Sequence, residues 1–108
     1  MEDEFERRKK KHEEKWAHDE ALRFKAAARR NKLAGLWAAS ELGLRGADAE
    51  GYAKSVVTAE MHAPGGAFAK IRADFAAAKL AHSDHAIRRK MEELLAPATE
   101  QIAKDVKP

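Results

Sequence analysis

Cysteine is absent from the 108 residues, which excludes a disulfide framework and thiolate chemistry. Large apolar side chains are scarce. Of 48 hydrophobic residues, 24 are alanine, which brings helix propensity and little buried area. A large side chain is worth roughly 1.5–3 kcal/mol when fully buried, and ordering each residue costs roughly 1–2 kcal/mol of backbone entropy. The remaining 24 therefore support a compact bundle but not the whole chain. No long apolar run occurs: a stretch such as Leu33 to Ala39 is far too short to span a bilayer, so no direct membrane insertion is expected. The opening Met1-Glu2-Asp3-Glu4 lacks the apolar stretch of a signal peptide, and the expected compartment is cytoplasmic. Also missing are a P-loop, a nucleophile elbow and a zinc-protease motif. No constellation points to catalysis, and the expected class is a binding protein rather than an enzyme.

What is present is charge of both signs. Charged residues make up 36% of the chain while the net charge is only +3, a mixture that reads as solvated helix. Strong punctuation falls at Leu42-Gly43-Leu44-Arg45-Gly46, at His62-Ala63-Pro64-Gly65-Gly66 and at Ala81-His82-Ser83-Asp84. The intervening stretches have few β-branched runs and predict four helices, near 4–42, 47–61, 67–80 and 84–104. Gly43 suits the left-handed position after a helix end. Ser83 suits an N-cap, with Asp84 in the following turn. The third helix begins without an Asp or Ser cap. Apolar stripes at helical spacing name a candidate core: Leu22, Ala26, Leu33, Leu36 and Trp37 in the first helix, and Tyr52, Val56, Val57 and Met61 in the second. The third offers Phe68, Ile71 and Phe75; the last offers Ile87, Met91, Leu94, Ala98 and Ile102. Gly35, costly inside a helix by roughly 1 kcal/mol, predicts close approach of another helix. The expected fold is all-α: a four-helix bundle whose long first helix has an N-terminal part that is mobile or extends from the bundle.

That N-terminal part stands apart. Its first 20 residues hold eight acids and six bases, whereas the remainder holds ten acids and 15 bases. Glu2-Asp3-Glu4 precedes Arg7-Arg8-Lys9-Lys10-Lys11, so Asp3 and Arg7, Glu4 and Arg8, and Glu6 and Lys10 form acid-before-base pairs four apart, each worth a few tenths of a kcal/mol. Met1, Phe5, His12 and Trp16 fall along one narrow side of a helix. Two readings stay open: helix-in-groove recognition with Phe5 and Trp16 as anchors, or rings folded back onto the bundle. So short a helix is marginal alone, and a segment that orders on a partner is expected. The predicted division is residues 1–18 as this segment and 19–108 as the helical domain.

The other candidates are weaker. Of five histidines, His82 and His85 are three apart but have no third ligand, so no metal site is expected. His12 lies on the anchor side and belongs to the one side-chain type that titrates near neutrality. Arg29-Arg30-Asn31-Lys32 and Arg88-Arg89-Lys90 are basic clusters, and Arg29, Arg30, Arg88 and Arg89 could contact phosphates if the first and last helices pack together. A basic helical nucleic-acid-binding protein remains an alternative. Acids are interleaved throughout, however, and no nucleic-acid motif is present, so no nucleic acid is expected as partner.

The run Lys15-Trp16-Ala17-His18-Asp19-Glu20-Ala21-Leu22-Arg23-Phe24-Lys25 leads into Ala28-Arg29-Arg30-Asn31-Lys32-Leu33-Ala34-Gly35-Leu36-Trp37-Ala38-Ala39, and Ser83-Asp84-His85-Ala86-Ile87-Arg88-Arg89-Lys90-Met91-Glu92-Glu93-Leu94-Leu95 follows later. These stretches, with the Gly43 break and Tyr52-Ala53-Lys54, resemble the zeta subunit family, the alphaproteobacterial inhibitors of the F-type ATP synthase. The resemblance covers nearly the whole chain. It implies a four-helix protein whose N-terminal region, here about Met1 to His18, enters the interface of the alpha and beta subunits near the gamma shaft of the catalytic head. That would block rotation in the hydrolytic direction. It makes Phe5, Arg7, Arg8, Lys9, Lys10, Lys11, His12 and Trp16 the partner-binding residues, with the protein peripheral to the inner membrane through the synthase. It also implies weak adenine-nucleotide binding and no tightly held cofactor.

Overall fold

The computed structural model describes residues 20–106. The stretch 4–19 of the expected first helix, and with it the segment 1–18, lies outside the described residues. Five helical segments follow: α1 (Glu20–Glu41), α2 (Gly46–His62), α3 (Gly66–Ala77), α4 (Asp84–Glu93) and α5 (Leu95–Val106). Among the described residues the architecture is all-α, with α1 central. It packs on α2 and α5 and touches α4 and α3, while α2 leans on α3 and α3 on α4.

The helix ends follow local rules where the rules are local. Glu41 closes α1, Gly43 adopts a left-handed φ of 81°, and the Leu44 amide donates to the Ala39 carbonyl at 2.8 Å while Gly43 donates to Ser40 at 3.0 Å. These bonds satisfy carbonyls that the helix end would leave orphaned. At α4, the Ser83 Oγ accepts from the Ala86 amide at 3.0 Å, as expected of this cap.

Two ends depart from the expectation, and a third, at its expected place, is capped by a residue of the preceding helix. The third helix stops at Ala77 rather than near 80, through the same double bond: Leu80 donates to Phe75 at 2.9 Å and Lys79 to Ala76 at 3.1 Å. The left-handed residue there is Lys79, with φ 59°, a conformation that brings its Cβ against a carbonyl. Lys79→Gly is therefore expected to raise the unfolding free energy by about 1 kcal/mol in urea titration. The start of α3 is capped from a distance: Glu60 on α2 accepts from the Gly65 amide at 2.9 Å and the Ala67 amide at 3.0 Å. The last helix breaks at Leu94, because Pro97 has no amide to donate to Glu93 and its ring would crowd that carbonyl. In α5, Pro97 falls in the first turn, where the missing donor costs nothing.

The core is built where small residues let helices close. Ala34, Ala38 and Val56 meet Ala67, Ile71, Phe75, Ile87 and Met91 in one buried cluster, with Trp37, Leu80 and Leu94 packed against it. Gly35 marks the close approach of α1 to α2: a Cβ there would stand 2.6 Å from the Ala53 Cα, so the expected close approach is real. With Gly35 six residues before the end of α1 and Ala53 seven after the start of α2, the two run antiparallel. The first-helix stripe needs correction. Leu22, Leu33, Leu36 and Trp37 are half-buried, whereas Ala34, Gly35, Ala38 and Ala39 are buried; in so close a contact only small residues fit at the centre. Met61, expected in the core, is 81% exposed.

Candidate functional site

Two surface hollows collect the charged candidates. The larger, an open groove of about 640 Å³, lies where α1, α2 and the end of α5 meet. Its apolar floor includes Ala28, Val57 and Ile102. Lys25, Arg29 and Lys32 line it from α1 and Lys54 from α2, with acids at Glu50 and Asp105. The helix period explains the row, since residues 25, 29 and 32 are four and three apart and share one face. Arg29 is already committed: Nη1 donates to the Gln101 Oε1 at 2.9 Å, and Nη2 pairs with the Asp105 Oδ2 at 3.1 Å. Among the described residues, Lys25, Lys32 and Lys54 have no carboxylate within salt-bridge distance.

The smaller hollow, about 250 Å³, brings Arg30 and Arg88 together with Glu60, Phe68 and Glu92. The Arg88 guanidinium lies 3.8 Å from the Phe68 ring centroid, a cation–π contact. The Arg30 Nε donates to the Oδ1 of buried Asn31 at 2.8 Å. Arg89 sits elsewhere, beside Glu93 at 3.4 Å on an exposed face. The first and last helices do pack together, yet the four arginines divide among three settings. The sequence-predicted segment residues, Phe5, Arg7, Arg8, Lys9, Lys10, Lys11, His12 and Trp16, lie outside the described residues.

Two polar clusters hold the frame behind these surfaces. The Tyr52 hydroxyl donates to the Asp74 Oδ2 at 2.8 Å, and the Lys70 Nζ meets the same oxygen at 3.1 Å, tying α2 to α3. Burial, and then the Asp74 carboxylate, push the Tyr52 phenol far above its ordinary range, so it stays a donor. His82 stacks on Phe75 at 4.8 Å between ring centroids and places Nε2 3.4 Å from the Glu41 Oε2. No helix among the described residues is long and apolar enough to cross a membrane.

A family model described as ATPase inhibitor subunit zeta matches residues 1–101. The chain belongs to that family. The match covers the charged N-terminal residues and the helices up to the first half of α5, and the zeta family's name assigns its members a regulatory role toward an ATPase. A comparison with curated proteins finds no match. Sequence reasoning had missed the lysine groove of this zeta-family domain. The signal was available in Lys25, Arg29 and Lys32 as a row, but Lys54 joins it only through the α1–α2 packing.

Proposed function

We propose that the chain inhibits ATP hydrolysis by the F-type ATP synthase, with residues 1–18 as the inhibitory segment. The carrying observation is the family match, which runs unbroken from the segment into the bundle. In this reading the segment folds as a helix in the cleft between the alpha and beta subunits near the gamma shaft. Phe5 and Trp16 are buried there as anchors, Arg7, Arg8, Lys9, Lys10 and Lys11 face acidic partner surface, and His12 lies on the anchor side. The domain from residue 19 onward acts as a handle that limits how far the segment travels. Rotation is stopped in the hydrolytic direction, the chain itself catalyses nothing, and it sits in the cytoplasm against the membrane-bound enzyme.

Hydrolysis by the cognate catalytic head, measured with the full chain and with one starting at Ala17, tests the assignment. The shorter chain is expected to lose inhibition. Phe5→Ala is expected to weaken it at least about tenfold, the loss of an aromatic anchor. Equal inhibition by the full and shortened chains would remove the N-terminal assignment.

A second reading is weak adenine-nucleotide binding, favoured by the meeting of Arg30 and Arg88 in one hollow beside the Phe68 ring. Amide shifts on titration with ADP test it, and a spectrum unmoved at millimolar ligand rejects it.

A further inference from the structure

The larger groove has the form of a receptor for an extended or helical segment: it runs between two antiparallel helices, with apolar lining from Ala28, Val57 and Ile102, a basic row of Lys25, Arg29 and Lys32 on α1, and Lys54 opposite on α2. It has four cations and two acids, and the pairing of Arg29 with Asp105 leaves three lysines facing Glu50. Such a surface suits a short acidic segment carrying an apolar side chain. The chain itself supplies one, since Glu2, Asp3, Glu4 and Glu6 surround Phe5.

We propose that this groove is the resting dock of the chain's own N-terminal acidic block, with Phe5 laid on the Val57 and Ile102 floor and the carboxylates against Lys25, Lys32 and Lys54. Length permits it. Thirteen residues, 7 to 19, separate Glu6 from the start of α1. A flexible chain of that length spans about 20 Å on average, and a fully extended one at most about 45 Å. The nearest lysine, Lys25, is five residues into α1, about 7.5 Å along its axis. Tethering holds the block at millimolar effective concentration over the groove, so individually weak charge pairs suffice. The chemistry also selects which part docks: the basic run Arg7 to Lys11 is repelled by the same lysines, and only residues 2–6 combine negative charge with an aromatic ring.

The consequence rests on the inhibitory reading of the segment. Phe5 cannot occupy the groove and the catalytic head at once, so the dock competes with the target and sets the concentration at which inhibition begins. Salt weakens this competition, because the contacts are exposed charges.

The absence of native cysteine makes the test direct. A nitroxide on Glu2→Cys in the full chain reports, through broadening of backbone amides, where the block resides. At about 0.01 M ionic strength, where the screening length is roughly 30 Å, the Lys54 and Thr58 amides are expected to broaden while those of α4 stay sharp. Near 1 M salt, with a screening length of about 3 Å, or in a Lys32→Glu, Lys54→Glu double variant, the broadening is expected to vanish. Broadening that survives the double variant, or that falls on other faces, overturns the dock. Broadening of an isotope-labelled chain by a separate spin-labelled chain would give the groove to a second copy, and also overturns it. The hydrolysis assay separates the two proposals. A double variant several-fold more potent than the parent supports the competition. Groove broadening in a chain that inhibits nothing leaves the dock standing and removes the inhibitor reading.

Discussion

Gly35→Ala is expected to lower the unfolding free energy by about 2 kcal/mol, whereas Gly51→Ala is expected to raise it by about 0.5–1 kcal/mol. Both replace a helical glycine with the best helix former, so propensity alone predicts the same gain of roughly 1 kcal/mol at each. The surroundings reverse one of them. A Cβ at Gly35 would stand 2.6 Å from the Ala53 Cα and 3.3 Å from the Ala53 carbonyl oxygen. Those are backbone atoms that no rotamer change can move. Carbon contacts relax near 3.5–4.0 Å, so α1 and α2 must separate by about 1 Å, and each neighbouring contact loses part of its dispersion energy. The loss spreads to Ala34, Ala38 and Val56, which share the interface. Overpacking of this kind costs about 1–3 kcal/mol, and the widened seam adds to it, which outweighs the propensity gain. A Cβ at Gly51 meets nothing within 4 Å, so there the gain stands alone. Urea unfolding with unchanged slope gives both numbers. If the two variants were equally stabilised, the close approach of α1 to α2 would be refuted.

Gly35 also marks how much the sequence could reveal. A glycine inside an otherwise helical apolar stripe needs a reason, and close packing was the one available; the partner, Ala53, was not. Gly43 and Ser83 were legible because their grammar is confined to a few neighbouring residues. Lys79 was not, although it does the same task as Gly43. Its left-handed backbone is held by tertiary demand, since turning the chain there lets Leu80 pack on the cluster around Phe75. Nor was the cap of α3, because Glu60 reaches it from the preceding helix. The stripes failed in a systematic way. Size marks a residue as apolar, but at a close helix contact size forbids the centre, so Ala34, Ala38 and Ala39 went inside while Leu33, Leu36 and Trp37 closed the flanks. The arginine pairs misled for a simpler reason. Consecutive residues on a helix point about 100° apart, so Arg29 and Arg30, or Arg88 and Arg89, face different neighbours. The lysine groove stayed hidden because half of it is spacing along one helix and half is the packing of another.

Phe75→Ala carries the largest expected effect on the fold, a loss of about 3–5 kcal/mol of unfolding free energy. Phe75 is the bulkiest of the fully buried side chains, with 1% of its surface exposed. Its ring meets Trp37 edge to face at 5.4 Å between centroids and His82 at 4.8 Å, so two other elements, α1 and the loop before α4, converge on this α3 residue. Alanine would leave a cavity lined by those rings and by Ile71 and Ile87, and an alanine-rich core has few large side chains with which to fill it. Domains of this size are stable by about 5–15 kcal/mol in total, so the variant is expected to sit near the edge of folding and to melt well below the parent, with calorimetry and urea titration as the measurements. The same variant also distinguishes the handle from the segment. Under the proposed function the inhibitory contacts are made by residues 1–18, and the domain contributes by holding the end of α1 in place. Inhibition by Phe75→Ala is then expected to follow the folded fraction as temperature rises, near parental when the domain is folded and falling as it melts. Inhibition that persists in the unfolded variant would show that the segment works without its handle. Inhibition absent from the folded variant would place partner contacts on the α1, α3 and α4 face instead.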